Sequence, residues 1–108
     1  MKGTNTVQLI GYVGKDLASP DGRNKKKTTL RIATREYFTD KEGARKSSTT
    51  WHDVVAWDEL AAHAGNSFVK GSHILVQGRL RHYTFIDSKG HKRFMTEIVA
   101  SHLFNLDR

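Results

Sequence analysis

The sequence predicts an all-β protein, a five-stranded Greek-key barrel in the order β-β-β-α-β-β, from three observations. Apolar residues recur at every second position in separate short stretches, the period of strands with one buried face. Clusters of Gly, Asp, Asn and Ser punctuate those stretches. The one segment with helical spacing falls between the third and fourth of them. The length of 108 residues suits a single domain over residues 1–108 and is too short for two independent cores.

The first strand is expected over Thr6 to Val13 (TVQLIGYV), with Gly11 marking a bulge or bend. Between Lys15 and Lys26 lies a turn cluster, Ser19-Pro20-Asp21-Gly22, holding the one proline. Thr28 to Phe38 alternates Leu30, Ile32 and Thr34 with Arg31, Ala33 and Arg35, which puts two arginines on an exposed face. Thr39 to Ser48 is polar and reads as a projecting hairpin tip. Thr49 to Trp57 (TTWHDVVAW) is the third strand. Asp58 is placed to cap a helix over Glu59 to Ala64 that Gly65-Asn66 ends. Ser72 to Tyr83 alternates Ile74, Val76 and Leu80 against Arg79 and Arg81. Asp87-Ser88-Lys89-Gly90 makes a second tip, and Phe94 to Leu106 closes the chain with Met95, Ile98, Ala100 and Leu103. Phe68, Phe94 and Phe104 read as core. Five strands with a helix in the third gap match the oligonucleotide/oligosaccharide-binding (OB) barrel, whose face and loops hold nucleic-acid strands or sugars.

Several kinds of chemistry find no support. Without cysteine there is no disulfide, zinc thiolate or thiol nucleophile, a composition compatible with a reducing cytoplasm. No apolar run approaches the roughly 20 residues of a membrane-spanning helix, and the first residues lack a secretory signal. Gly11 to Lys15 (GYVGK) fails the phosphate-loop pattern, with Leu9 in place of the first glycine and Asp16 in place of Ser or Thr. The six histidines lack the i, i+4 pairing of a zinc helix, and no nucleophile motif such as Gly-x-Ser-x-Gly occurs. The expectation is a protein that is not an enzyme and has no metal or cofactor.

Charge and aromatics point instead to a polyanion. Eighteen Lys and Arg oppose eleven Asp and Glu, a net charge of +7. The surplus is concentrated from Gly22 to Arg35, where Arg23, Lys25, Lys26, Lys27, Arg31 and Arg35 meet no acid. Aromatics are interleaved with these cations: Tyr37-Phe38 end the second strand, Trp51 and Trp57 flank the third, and Tyr83 and Phe85 lead into the last hairpin. Trp51, Asp53, Val55 and Trp57 share one strand face, and an acid between two tryptophans makes a poor apolar core. Aromatic platforms beside cations bind unpaired strands with little sequence preference, because every base has a π face that duplex hides.

In order along the chain, Asn5-Thr6-Val7-Gln8-Leu9-Ile10-Gly11, Gly14-Lys15-Asp16, Leu30-Arg31-Ile32-Ala33-Thr34, Thr50-Trp51-His52-Asp53-Val54-Val55, Leu60-Ala61, Lys70-Gly71-Ser72 and Gly78-Arg79-Leu80-Arg81 resemble the bacterial single-stranded DNA-binding protein family. The resemblance implies an OB-fold that binds single-stranded DNA without sequence preference in replication, recombination and repair, as a homotetramer in the cytoplasm at the nucleoid. It implies stacking residues at Phe38, Trp51, Trp57 and Phe85, and phosphate contacts at Lys2, Lys41, Lys46, Lys70 and Arg81. His52 matches a family histidine near the subunit interface. Three departures stand out. Phe38 and Phe85 occupy positions where tryptophan is frequent, which weakens stacking. Asp53 and Glu59 put acids where some members carry bases, with Arg23 and the Lys25-Lys26-Lys27 run to compensate. The sequence runs to Leu106-Asp107-Arg108 without the disordered linker and acidic tip that recruit partner enzymes in bacterial members, as in a trimmed or tailless form. The alternative is a primosomal-type OB adaptor that bridges DNA and replication proteins as a dimer.

Overall fold

The computed structural model describes residues 3–14 and 27–107, the side chain of Asn66 apart. The order is β1 (Val7–Val13), β2 (Lys27–Thr39), β3 (Arg45–Trp57), α1 (Asp58–Ser67), β4 (His73–Ile86) and β5 (Lys92–Asn105). The strands close into a barrel in the spatial order β1-β2-β3-β5-β4. The order β-β-β-α-β-β therefore stands as the alternation and the single helical segment predict. The Ser19–Gly22 turn cluster lies outside the described residues.

Every pairing is antiparallel except the closing one, β3 with β5, which is parallel and joins Val54 to Ile98 and Val55 to Val99. β2 and β3 pair from Lys27↔Trp57 to Thr39↔Arg45, and β4 and β5 from Ile74↔Asn105 to Ile86↔Lys92. Each hairpin is thus far longer than the barrel is tall, and its outer half projects as a two-stranded arm.

Burial follows this division. The core gathers Val13, Leu30, Ile32, Val54, Ala56, Ile74, Val76, Ile98, Ala100 and Leu103 from the barrel halves of the strands, covered at one end by Ala61, Ala64 and Phe68. Thr28, the buried polar residue beneath the helix, donates its hydroxyl to the Ala61 carbonyl at 3.2 Å. Beyond the β1–β4 ladder, the Asn5 amide stands in for a strand by bonding both the N–H and the C=O of Leu80.

Two of the three phenylalanines expected in the core are exposed, Phe94 at 75% and Phe104 at 48%; Phe68 is buried. Phe94 points to the same side as Ile98 but lies past the barrel closure, where nothing stands opposite it. Phe104 is turned out by a bulge. Gln77 pairs with His102 and Gly78 with Ala100, so Ser101 is the extra residue, and its hydroxyl bonds the Gln77 carbonyl. The one-residue slip reverses parity, putting Leu103 inside and Phe104 outside.

Other boundaries differ for local reasons. Gly11 keeps a regular place in the β1–β4 ladder rather than forming a bulge; a Cβ there would overlap the Ala33 carbonyl oxygen, so glycine permits β2 to approach. Thr39 to Ser48 projects as a hairpin tip, but most of it is strand: pairing continues to Thr39↔Arg45 because backbone hydrogen bonds, not apolar alternation, zip a strand wet on both faces. Asp58 is the first helical residue rather than the cap, in the left-handed region at φ 55° that aspartate tolerates. The helix runs through Gly65 and Asn66 to Ser67 and ends where Phe68 N–H bonds the Ala64 carbonyl.

Ile32 is fully buried at the barrel centre. Ile32→Ala is expected to cost roughly 2–5 kcal/mol in urea unfolding, the range for deleting a buried isoleucine; a loss below 0.5 kcal/mol, well short of this range, would place the core elsewhere.

Candidate nucleic-acid interface

Strand parity sorts the arm residues into faces. On the β2–β3 hairpin one face carries Arg31, Ala33, Arg35 and Tyr37 with Ser47, Thr49, Trp51 and Asp53 along the arm, and Lys27 and Trp57 at its barrel end; the other carries Thr34, Glu36 and Phe38 with Lys46, Ser48, Thr50 and His52. On the β4–β5 arm, Arg79, Arg81, Tyr83 and Phe85 share a face with Arg93, Met95 and Glu97. Cations and aromatics alternate along these faces because cross-strand neighbours on one face stand about 5 Å apart.

Five of the rings are met by cations. Lys27 Nζ lies 5.4 Å from the centre of Trp57, and the Arg31 guanidinium 5.3 Å from Trp51. Arg45 lies over Tyr37 and Arg81 over Tyr83, at 5.2 and 5.5 Å. Trp51 is 48% exposed and Trp57 41%, and Phe38 and Phe85 are exposed as well. Trp51 rests on the end of β1: a Cβ on Gly14 would overlap its ring carbons Cζ3 and Cη2, and Gly14 N–H bonds the Arg31 carbonyl at 2.8 Å.

The arm tips are built alike. Asp40 Oδ1 accepts from the N–H of Glu42 and Ala44, and Asp87 Oδ1 from the N–H of Lys89 and His91, all at 2.9 Å. Gly43 and Gly90 take the left-handed conformation, φ 84° and 81°, that each turn demands. The Ala44 N–H bond foremost, with further backbone bonds and Lys46, holds the Asp40 carboxyl below the usual carboxylate range; the His91 N–H bond, then Arg93 at 2.8 Å, does so for Asp87.

Of the residues named from sequence, Trp51 lies on the first arm, while Lys27 and Trp57 share its strand face at the barrel end of the ladder, with the buried Val55 between the two tryptophans. Phe38 is on the opposite face, paired with Lys46, so a strand stacked on both Phe38 and Trp51 must pass around the arm. Phe85 lies on the second arm beside Tyr83, across from Arg93. Lys41 is exposed in the first tip, Lys46 pairs with Asp40 at 3.3 Å, Lys70 is exposed in the turn before β4, and Arg81 pairs with Glu97 at 3.3 Å. His52 is half-buried and shares a 2.9 Å hydrogen bond with Thr34. Lys2, Arg23, Lys25 and Lys26 lie outside the described residues. The sequence marks Arg31 as exposed and as part of the basic concentration but not as a neighbour of Trp51, and it does not single out Arg45 or Arg93; the parity of Arg31 with Trp51 becomes informative only once the β2–β3 register is known.

Among the described residues no cluster of His, Asp or Glu is arranged to hold a metal, and no helix is long and apolar enough to cross a membrane. A closed five-stranded barrel with a helix between β3 and β4, and cation-capped aromatics along its arms, defines an OB-fold of the nucleic-acid-binding class. Residues 4–106 match the single-strand binding protein family, and the chain belongs to that family. It is 38% identical to single-stranded DNA-binding protein 1 of Xylella fastidiosa, over 95% of this chain and 77% of that one. With the Chlorobaculum tepidum protein of the same name the identity is 35%, over 93% of this chain; the match spans 63% of that relative's length. Among solved structures it is similar to a Plasmodium falciparum SSB in complex with ssDNA (TM-score 0.84, 29% identity, 99% of this chain and 98% of that one). A deletion mutant of the Thermus aquaticus single-stranded DNA-binding protein is also similar (TM-score 0.78, 27% identity, 97% of this chain and 51% of that one).

Gly14→Ala is expected to shift tryptophan emission and near-ultraviolet dichroism while far-ultraviolet dichroism holds, because the Trp51 ring must move; an unchanged tryptophan signal would show that Gly14 does not seat the ring. Because the Asp40 and Asp87 carboxyls titrate below the usual range, their turn bonds are fully present above that range and are lost as pH falls through the lowered values. Amide resonances of Glu42, Ala44 and Lys89 should stay flat from neutral pH through the ordinary carboxylate range and move together below it. Midpoints at or above the ordinary value would contradict the clamps.

Proposed function

We propose that this chain binds single-stranded DNA without sequence preference, stacking bases on Trp51 of one arm, Trp57 at the barrel end of the same strand, and Phe85 of the other arm. Lys27, Lys70, Arg81 and the tip lysines Lys41 and Lys46 meet the phosphates. Phe38 stacks a further base where the strand passes around the first arm. Lys2, Arg23, Lys25 and Lys26 belong to the same reading as phosphate contacts. The observation that carries it is the alternation of cations and exposed rings along both arms. The names of the similar proteins and the strand in the Plasmodium falciparum complex support it.

The role is non-catalytic protection of unpaired DNA during replication, recombination and repair, in the cytoplasm at the nucleoid. Homotetramer assembly fits the outer face of β1, β4 and β5, where Ile10, Tyr12 and Phe104 are exposed among Gln8, Gln77, His73 and His102 with no Lys, Arg, Asp or Glu paired between them. His52 has a place near a subunit contact in this reading.

Titration with fluorescent oligo(dT) and with a duplex of equal length, at two salt concentrations, tests the function. Tight, salt-sensitive binding of oligo(dT) with quenched tryptophan emission is expected, with weak duplex binding. Equal affinity for both would mean that only the positive field acts. Trp51→Ala should cost about 1 to 3 kcal/mol of oligo(dT) binding, and unchanged affinity would remove Trp51 from the interface.

A further inference from the structure

Two of the cation-capped rings share a third member. Arg31 stands directly across the ladder from Asp53, with Nε 3.4 Å from Oδ1, while its guanidinium covers Trp51. Arg81 stands directly across from Glu97, with Nε 3.3 Å from Oε1, while its guanidinium covers Tyr83. In both, the ring lies two residues along from one member of the ion pair, so the pleat fixes acid, arginine and ring on one face. Asp53 and Glu97 also line the same groove, a cavity of about 180 Å³ that opens where β3 and β5 part above Val54↔Ile98.

We propose that Asp53 and Glu97 are built-in competitors of the DNA phosphate. Each keeps its arginine on an aromatic platform while no strand is bound, and each yields it when a phosphate arrives. This rests on the single-strand reading above.

The chemistry favours exchange. A guanidinium binds carboxylate and phosphate through the same fork of N–H donors, so one group displaces the other without rebuilding the site. With Gly14 against the Cζ3 and Cη2 edge of the Trp51 ring and Arg31 5.3 Å from its centre, a base stacking on Trp51 competes with Arg31 for the ring. Asp53 is half-exposed, so its hold on Arg31 is weak enough to be broken. A carboxylate that loses its arginine gathers a cation from solution, which cancels one of the ions released from the DNA. The acids therefore act as a brake, lowering both affinity and salt sensitivity, and they speed release of a strand that must be handed on.

The test compares oligo(dT) binding across a salt series for the wild-type chain, Asp53→Asn, Glu97→Gln and Glu36→Gln. Glu36→Gln removes the same charge from the opposite face of the first arm. Asp53→Asn should tighten binding about two- to fivefold, the range that an exposed ion pair commands, and Glu97→Gln, whose carboxylate is largely shielded from solvent, at least as much. The plot of log K against log salt should steepen by about 0.7 for each, one more cation released per freed arginine. Glu36→Gln should do neither to that extent. The gain from Asp53→Asn should disappear in an Arg31→Gln background, which mere removal of negative charge would not produce. Melting temperatures equal to wild type establish that the variants fold, and Asp53→Thr, suited to a strand, serves in place of Asp53→Asn if that variant melts early. Asp53→Asn matching Glu36→Gln, or a gain that survives Arg31→Gln, overturns the proposal while leaving single-strand binding standing. A wild-type chain that does not prefer oligo(dT) over duplex sinks both.

Discussion

The barrel closes through a parallel contact of only two residue pairs, Val54 with Ile98 and Val55 with Val99, and the remainder of the molecule is arranged around that brevity. Strands of 13 and 14 residues cannot stay within a barrel closed at that height. Their inner halves supply the core, and their outer halves leave as arms with both faces in water. Apolar residues at the inner positions gain by burial; those at the outer positions gain nothing from the barrel. An aromatic ring on an arm is thus left exposed by topology.

Exposed rings and a net charge of +7 would be a liability unless organised. The ladders organise them by placing a cation within reach of each of five rings. Each contact is weak at an exposed site, of order 0.5–1 kcal/mol, so the ring faces and the charges both remain available to a partner. The Asp40 and Asp87 clamps hold the two arm tips in defined turns. The opposite outer face, with Ile10, Tyr12 and Phe104, has no such row of cations, and the two surfaces suit different partners.

The fold was legible in the sequence because alternation and turn residues act locally: Leu30 and Ile32, or Ile74 and Val76, announce a buried face wherever the chain goes. The site was legible in part. Trp51 betrayed its exposure through Asp53, an acid that no apolar core would share. What stayed hidden was set by pairing at a distance. Phe104 looked like core because nothing local reveals the bulge at Ser101, and Phe94 looked like core because its parity is right and only the height of the closure makes it wrong. That Phe38 and Trp51, both named as stacking residues, stand on opposite faces follows only from the register. Arg31 gained its meaning from Asp53 and Trp51, twenty or more residues away in sequence.

Photocrosslinking with an oligonucleotide carrying 5-iododeoxyuridine, followed by mass mapping of the adducts, tests most directly whether single strands run along the cation-capped faces of the arms. The account requires adducts at Trp51 on the first arm, at Trp57 at the barrel end of its strand, and at Tyr83 or Phe85 on the second arm. Adducts confined to Tyr12, His102 and Phe104, with the arms unmarked, would contradict it.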